Sequence, residues 1–310
     1  MENSGISVSI IIVLWNNESV IRDCLKSVLD QRGESGEIIV VDNNSSDRSA
    51  AIVEKEFSGV KLIENESNKG FAAAANQGIR ASQGDYLLLL NPDAVMSAGS
   101  LEKMFFFLKD HPDAGACGCR IEDESGKLMW SCFHFPSLSG EFWEITLLSR
   151  LFPRSRLFGR YLMSYWDHNT SREVDWLTGA CLMLRKEALD NAGLLDEEFF
   201  MYTEDVDLCY RLRNNRYRIY YLADTRIVHK QGNSADQNYA RMFAQRYKSR
   251  YLFFKKHYGL MRYALLKMIV LLGFAARTAV YLPARVFIRD KYAAKRKLSG
   301  YLEVLKTAFS

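Results

Sequence analysis

Polar residues follow three apolar segments within the first hundred residues of the chain. Asn16-Asn17-Glu18 follow VSIIIVLW, Asp42-Asn43-Asn44-Ser45 close EIIVVD, and Asn91-Pro92-Asp93 follow DYLLLL. Their oxygens can accept hydrogen bonds from a ligand or coordinate a divalent cation. The same residue types also form turns and helix caps, so a structural role stays open for each cluster alone. Three clusters in similar positions favour a binding site.

A second group of acids, Thr203-Glu204-Asp205-Val206-Asp207, opens a predicted helix. Thr203 could cap that helix, and acids in a first turn favour the helix dipole. Three acids are more than a cap needs, which favours a carboxylate that acts as a general base.

Alternating apolar strands and amphipathic helices over the first hundred residues predict an α/β fold with a parallel sheet and helices on both faces. Ligands of such sheets bind beyond the carboxyl ends of the strands. A dinucleotide-binding domain would need a glycine-rich turn after the first strand, where this chain has WNNES. Residues 174–184 are predicted as one strand. The aromatic-rich residues 113–175 are assigned to the substrate side of the same domain, and the chain is expected to be helical from about Ser234.

Charge is distributed unevenly along the 310 residues, whose formal net charge is +4. Residues 240–310 contain 16 Lys and Arg against 2 Asp and Glu, and the rest of the chain carries a net charge of −10. The six cysteines show neither zinc spacing nor a disulfide framework, which predicts a reducing cytoplasm. The acidic N-terminus does not indicate a signal peptide, and the nine-residue apolar run 268–276 falls short of a spanning helix.

Seven segments, in this order, resemble the family 2 glycosyltransferases with a GT-A fold: VSIIIVLWNNE, IIVVDNNSSD, NKGFAAAANQG, LLLLNPDA, WLTGACLMLR, FFMYTEDVDLCYR and VHKQGNS. The resemblance implies a Rossmann-like, mostly parallel sheet flanked by helices over residues 1–235, with a basic helical extension over 236–310. The NPD, TED and His-x-x-Gly-x-Ser segments are most similar to the rhamnosyltransferase-like branch. That branch implies inverting transfer, with rhamnose suggested as the sugar, from a nucleoside-diphosphate donor in bacterial surface polysaccharide synthesis.

The resemblance also implies a binding site for a dTDP- or UDP-sugar. Asp42 would accept a hydrogen bond from the pyrimidine N3–H, or simply start a turn. Asn76 would bind the sugar or a neighbouring loop. The remaining residues expected around the donor are Trp15 and Asn17 at the base, Asn44 in its loop, Lys69 near the diphosphate, and Asn91.

Asn91-Pro92-Asp93 stands where the family has Asp-x-Asp, so Asp93 is the expected ligand of Mg²⁺ or Mn²⁺, although Asn91 replaces one acid. His229 is a second metal ligand or a strand-end histidine. Asp205, with Glu204 beside it, is the expected general base. The WLTGA segment would supply a sugar and acceptor floor through Trp176, Thr178 and Gly179, or Trp176 would belong to the core.

The expected acceptor is a glycan or a polyprenyl-diphosphate-linked glycan. The basic, partly apolar C-terminal segment predicts contact with an anionic membrane surface at the cytoplasmic face of the cell membrane; a packed helical domain or a homodimer interface are alternatives. No motif supports a nucleic-acid partner. Two other functions stay open: a catalytically silent sugar-nucleotide-binding scaffold and a nucleotidyltransferase.

Overall fold

A computed structural model describes residues 8–31, 36–230, 239–284 and 290–308. These residues form two compact units. The described part of the first comprises residues 8–31, 36–135, 167–200 and 204–230, and that of the second 136–166, 201–203, 239–284 and 290–308. The predicted boundary at 235/236 lies outside the described residues, as does the end of the VHKQGNS segment. Residues 136–166, assigned from sequence to the first domain, group with the C-terminal helices.

The first unit begins with alternating strands and helices, as predicted. Its elements are β1 Val8–Leu14, α1 Ile21–Leu29, β2 Glu37–Asp42, α2 Ser49–Glu56, β3 Lys61–Glu64, α3 Phe71–Arg80 and β4 Tyr86–Leu90. The four strands are parallel, in the spatial order β3-β2-β1-β4. Six of the seven residues of β1 are buried, because helices cover both faces of a parallel sheet.

The second half of this unit adds antiparallel pairs, so the sheet is mixed but mostly parallel, as the family resemblance implied. Its elements are β5 Ala94–Met96, α4 Ser100–Asp110, β6 Ala114–Glu122, β7 Leu128–Met129, β8 Cys132–Phe133, β9 Arg172–Glu173, β10 Trp176–Leu177, β11 Cys181–Arg185, α7 Lys186–Ala192, α8 Glu204–Asn214 and β12 Arg218–His229. The order continues β4-β11-β6-β12-β5, with β11 antiparallel to both neighbours and β12 parallel to β6.

The strand predicted over 174–184 is broken in two. β10 pairs with β8 in a separate two-stranded sheet, and β11 joins the main sheet. The intervening residues, Thr178 to Ala180, therefore leave their backbone groups outside a regular ladder. Two of these groups, the Gly179 N–H and the Ala180 carbonyl oxygen, bond to Asp205 and to the Asn91 N–H.

The second unit is helical: α5 Leu138–Ile145, α6 Leu148–Leu151, α9 Tyr239–Ala284 and α10 Lys291–Thr307. Gly259 (φ 82°, ψ 170°) kinks α9. Arg250 is buried on α9, where it pairs with Glu141 at 3.1 Å and donates a 2.8 Å hydrogen bond to the Tyr161 hydroxyl. The pairing compensates for the removal of both charges from water.

Within the described ranges, one helix, Tyr239–Pro283, is long and apolar enough to cross a membrane, judged by length and composition alone. Only 17% of its most apolar stretch is buried. The expectation drawn from uninterrupted apolar runs missed this helix, because isolated charges divide it. All six cysteines are buried free thiols, in line with the prediction that they form no disulfides.

Candidate active site

Three side chains meet where β4 and β12 end. β12 pairs antiparallel with β5, so that His229 lies opposite Ala94. This register places the His229 Nε2 atom 3.0 Å from the Asp93 Oδ1 atom and 3.3 Å from the Asn91 Nδ2 atom. Asp93 also accepts a 2.8 Å backbone hydrogen bond from Lys230 through its carbonyl oxygen. Sequence reasoning selected all three side chains, and the structure brings them together.

This cluster fits a divalent cation that takes part of its coordination from the substrate. Asp93 and His229 offer one carboxylate and one imidazole, and no group of three His, Cys, Asp or Glu suited to a metal occurs among the described residues. Mg²⁺ commonly binds through one or two protein ligands plus substrate phosphates and water. The His229 Nδ1 atom is buried and has no hydrogen-bond partner in the described part of the chain.

Asp205 lies in the first turn of α8, after two non-glycine residues with left-handed backbones, Tyr202 (φ 67°) and Thr203 (φ 73°). Such conformations cost free energy and are concentrated at functional sites. The carboxylate of Asp205 accepts hydrogen bonds from the backbone N–H of Gly179 (3.0 Å) and of Val206 (2.8 Å). These two bonds orient the carboxylate.

The neighbouring acids have different environments. Glu204 is buried, its Oε2 atom has no hydrogen-bond partner among the described residues, and burial together with the Asp205 charge raises its pKa well above the usual range. Asp207 is fully buried and pairs with Arg211 at 2.8 Å. Burial and the neighbouring charge thus disfavour the ionised form of Glu204, backbone donors hold the carboxylate of Asp205, and Asp207 is a structural anchor.

The break between β10 and β11 links the two acidic clusters. The Gly179 N–H donates to Asp205, and the carbonyl oxygen of the next residue, Ala180, accepts a 3.0 Å bond from the Asn91 N–H. The Cα atoms of Gly179 and Ala180 are about 3.8 Å apart, as in any trans peptide. Asp205 and the Asn91–Asp93 turn therefore flank one short segment at the same edge of the sheet.

Asp42 is the last residue of β2, and only one of its two carboxylate oxygens has a hydrogen-bond partner among the described residues. The Oδ2 atom accepts a 3.0 Å hydrogen bond from the Ser45 N–H, whereas the Oδ1 atom is buried and has no partner in the described part of the chain. The structure shows the turn, and contact of the Oδ1 atom with a base stays a prediction. The exposed Asn44 adopts a left-handed backbone (φ 65°) in the same loop.

Trp15 and Asn17 interact with each other beside that loop. The half-buried Trp15 donates its backbone N–H to the Asn17 Oδ1 atom at 2.8 Å. The Asn17 carbonyl oxygen accepts from Val20 and Ile21 at the start of α1. These contacts fix the geometry of the turn, and contact with a base stays a prediction.

Asn43 is a residue that sequence reasoning missed. Its side chain accepts from the Lys69 N–H (3.0 Å) and donates to the Asn68 Oδ1 atom (3.0 Å) and the Gly70 carbonyl oxygen (3.1 Å), so it joins the end of β2 to the loop before α3. The only sequence signal was its position between the selected residues Asp42 and Asn44. The side chain of Lys69 is exposed.

Gly70 and Asn76 connect α3 to the segment that precedes the TED motif. Gly70 (φ 86°) lies so close to Phe200 that a Cβ would overlap the Phe200 carbonyl oxygen. Asn76 donates to the Leu195 carbonyl oxygen at 2.8 Å and to Glu197 at 2.9 Å, and it accepts from the Leu195 N–H. Of the two roles foreseen for Asn76, the structure shows the contact with a neighbouring loop.

Trp176 occupies the core. Its side chain stacks on Phe133 with ring centroids 4.3 Å apart, and its indole N–H donates to the His134 carbonyl oxygen at 2.9 Å. Thr178 is half-buried and donates its N–H to the Ser131 carbonyl oxygen. The contacts of Trp176 explain the residue without a ligand, so Thr178 and Gly179 are the better placed of the three for an acceptor.

A histidine–carboxylate pair close to this segment was also missed. The His134 Nδ1 atom lies 2.8 Å from the Asp175 Oδ2 atom, which also accepts from the Phe135 N–H. Burial raises the pKa of Asp175, but the hydrogen bonds from His134 and Phe135 outweigh it and hold the pKa below its usual value. The two residues are 41 positions apart, so no spacing rule could have paired them.

Comparison with known proteins agrees with this geometry. Residues 9–191, more than half of the chain, match the family described as glycosyl transferase family 2. A curated relative is the N-acetylglucosaminyl-diphospho-decaprenol L-rhamnosyltransferase of Mycobacterium tuberculosis, 28% identical over 236 residues that cover 70% of this chain and 73% of that protein. Another is the poly-beta-1,6-N-acetyl-D-glucosamine synthase of Staphylococcus aureus, 27% identical over 69% of this chain and 47% of the synthase.

Solved structures share the fold at low identity. The mannosyltransferase PcManGT from Pyrobaculum calidifontis, in complex with GDP-Man and Mn²⁺, superposes with a TM-score of 0.59 at 17% identity, over 97% of this chain and 86% of that one. S. aureus TarS 1-349 gives a TM-score of 0.53 at 16% identity, over 97% and 90%. The GT-A fold implied by the seven sequence segments is thus confirmed. With its ordered strand-end motifs, its fold and its family match in agreement, the chain belongs to glycosyl transferase family 2 and is a glycosyltransferase.

Proposed function

We propose that this glycosyltransferase inverts the anomeric carbon of a nucleotide sugar in one displacement, with Asp205 as the general base. The observation that carries the proposal is the Gly179–Ala180 segment, which holds Asp205 on one side and the Asn91–Asp93 turn on the other. A base for the incoming hydroxyl and a site for the outgoing diphosphate therefore lie beside each other.

In this reaction Asp205 takes the proton of the acceptor hydroxyl while the oxygen forms a bond to the anomeric carbon. The bond from that carbon to the diphosphate breaks, and the nucleoside diphosphate leaves with the electron pair. A positioned carboxylate of this kind accelerates proton transfer by roughly 10²–10⁴-fold. Burial and the Asp205 charge raise the pKa of Glu204, which makes Asp205 the better candidate for the base. No second carboxylate is assigned as a nucleophile, which favours inversion.

Asp93 and His229 would hold Mg²⁺ or Mn²⁺, which supplies positive charge to the departing diphosphate. Support comes from the 3.0 Å approach of the two side chains and from the Mn²⁺ in the P. calidifontis complex. Asn91 leaves this cluster with one carboxylate where the family motif has two. We therefore expect activity to require added metal, and Asp93→Ala to raise the Mn²⁺ concentration needed for half-maximal turnover by at least about tenfold, since a direct carboxylate ligand is lost.

The donor is proposed to be a dTDP- or UDP-sugar, bound through its base near β1 and β2. The buried Oδ1 atom of Asp42 is an acceptor without a partner in the described part of the chain, and it suits the N3–H of thymine or uracil. Rhamnose is the leading sugar because the M. tuberculosis relative is named as an L-rhamnosyltransferase. By the same comparison, the leading acceptor is a hydroxyl of a polyprenyl-diphosphate-linked glycan in bacterial surface polysaccharide synthesis.

If the acceptor is lipid-linked, the enzyme must reach it at the membrane, and we propose the cytoplasmic face of the cell membrane. The second half of α9 leaves a stripe of apolar side chains exposed: Met261 (75%), Leu265 (37%), Met268 (50%), Leu272 (62%) and Val280 (72%). Spacings of three, four and eight residues put these side chains on one side of the helix. Residues 240–310 carry a net charge of +14, which anionic lipids attract. We propose peripheral contact of this face with the bilayer.

The test is a product analysis with a panel of thymidine, uridine and guanosine diphosphate sugars, with and without Mn²⁺, on a lipid-linked N-acetylglucosamine acceptor. We expect a free nucleoside diphosphate and a glycoside of inverted configuration, which NMR identifies. Release of pyrophosphate would instead reveal a nucleotidyltransferase. Donor binding without turnover across the panel would point to a sugar-nucleotide-binding scaffold.

A further inference from the structure

A second apolar and basic element lies in the helical unit, far in sequence from the C-terminal segment. Residues 147–160, LLSRLFPRSRLFGR, are here called the arginine loop. Three large apolar side chains are largely exposed there, Leu151 at 68%, Phe152 at 52% and Leu157 at 60%. Scattered exposed leucines are ordinary, but three such side chains within seven residues form a patch that calls for a partner.

The arginine loop has a defined conformation. The Gly159 N–H donates to the Ser155 carbonyl oxygen at 2.8 Å, and the Ser164 hydroxyl donates to the Pro153 carbonyl oxygen at 2.6 Å. A Cβ on Gly159 would overlap the Ser164 side chain and the Pro153 carbonyl oxygen. The apolar side chains are thus held outward by a compact backbone, which lowers the entropy cost of binding a partner.

The charge of the loop is entirely positive. Arg150, Arg154, Arg156 and Arg160 are exposed, and none forms an ion pair with any residue that the structure describes. The sequence has no Asp or Glu from residue 145 to residue 166. Four unneutralised arginines beside exposed leucine and phenylalanine fit a surface that is negative at its face and apolar beneath.

The arginine loop adjoins α9 within the helical unit. Ile145, two residues before the loop, contacts Gly273 of α9 so closely that a Cβ on the glycine would overlap it. Arg277 of α9 donates to the Glu144 carbonyl oxygen at 2.8 Å. The loop therefore begins beside the half of α9 that carries the exposed apolar stripe.

We propose that the arginine loop is a second membrane-contact element, which inserts Leu151, Phe152 and Leu157 into the interface of an anionic bilayer while its arginines bind lipid phosphates. The inference extends the membrane placement given under the proposed function and rests on it. A second copy of the chain is a poorer occupant, because a two-fold contact would bring identical arginine loops together. Nucleic acid would bind the arginines but would leave the apolar side chains in water.

The experiment measures sedimentation of the full chain with phosphatidylcholine vesicles that contain either no anionic lipid or about 30 mol% phosphatidylglycerol. One variant, Leu151→Ser/Leu157→Ser, removes apolar contacts, and a second, Arg154→Gln/Arg156→Gln, removes two charges. The matched control, Lys55→Gln/Lys127→Gln, removes two exposed charges from the other unit. All four proteins are also run without lipid in an analytical ultracentrifuge.

We expect the charge variant to bind anionic vesicles on the order of 20-fold more weakly, from about fivefold per arginine near a charged surface. The apolar variant should lose a similar factor, and the control should bind as the unchanged chain does. Unchanged binding by both loop variants would overturn the inference. So would a change of oligomeric state in lipid-free buffer, which would show an interface between copies, or tighter binding to duplex DNA than to vesicles.

Turnover with a water-soluble acceptor separates this inference from the proposed function. Loop variants that keep turnover but lose vesicle binding support both. If no form of the protein turns over a donor, the proposed function fails, while the vesicle result still decides the role of the arginine loop.

Discussion

Replacing Asp205 by Asn tests the base assignment, and the structure shows that the change is not isosteric in its effects. The carboxylate accepts one backbone N–H on each oxygen, from Gly179 and Val206. An amide has a single acceptor oxygen, so its NH₂ group must face one of these two donors. The variant therefore loses a charge-assisted hydrogen bond and gains a repulsive contact.

The cost follows from these contacts. Hydrogen bonds to charged groups contribute about 1.5–3 kcal/mol each, and loss of the negative charge in the first turn of α8 adds roughly 0.3–1 kcal/mol. We expect Asp205→Asn to lower the unfolding free energy by about 2–4 kcal/mol. At roughly 2–4 °C per kcal/mol, the melting temperature of the transition should fall by several degrees.

Activity should fall much further than stability. The variant keeps the donor site, so its affinity for the nucleoside diphosphate should stay within a factor of about two, while turnover falls by roughly 10²–10⁴-fold. Thermal unfolding, calorimetric titration with the nucleotide and product release at a temperature well below the transition measure the three quantities. Asp207→Asn is the control: its carboxylate pairs with Arg211, so it should lose stability and keep turnover per folded molecule. Turnover of the Asp205 variant near that of the unchanged enzyme would refute the reasoning.

Three further predictions concern the donor site, pH and backbone fit. Asp42→Asn should weaken binding of dTDP or UDP in calorimetry by roughly 5–150-fold. The single amide oxygen must accept the hydrogen bond from the Ser45 N–H, so the NH₂ group, a donor, faces the N3–H of the base. Equal affinity would contradict this. The pKa of Glu204 is raised in the folded state, so folding loses stability as pH rises above about 4.5. Glu204→Gln removes this loss, so the melting temperature of the variant minus that of the unchanged chain should grow between about pH 5 and 8. A difference that does not change with pH would count against a raised pKa. Gly70→Ala should lower the unfolding free energy by at least about 2 kcal/mol, since it adds an overlap with a carbonyl oxygen to the strain of positive φ. Gly99→Ala, with positive φ but open space around it, should cost only about 1 kcal/mol.

The first half of the sheet, β1 to β4, was predictable because its signals are local. β1, β2 and β4 are continuous apolar segments, and the polar residues that end them lie at one edge of a parallel sheet by topology alone. The approach of Asp93 to His229 was foreseen only through the family resemblance, since it depends on the antiparallel pairing of β5 with β12.

The second half of the sheet, β5 to β12, was less predictable because tertiary contacts decide which of its segments become strands. β6 (AGACGCRIE) has few large apolar residues, yet eight of its nine positions are buried between β11 and β12. The strand predicted over 174–184 looked continuous because Trp176 and Leu182 are both core residues on either side of the break. Residues 136–166 gave only scattered aromatics and no clear element pattern, yet they belong to the helical unit.

The reversed direction of β11 has an evolutionary consequence. Because β11 runs antiparallel to β4 and β6, it starts at the edge of the sheet where they end, so the connection from β6 to β11 leaves and re-enters the sheet at the edge that carries the candidate site. Under the proposed function, we expect insertions or replacements in that connection to change the acceptor while β1 to β4 keep their arrangement. Exchange of that connection between relatives is a modular route to new linkages.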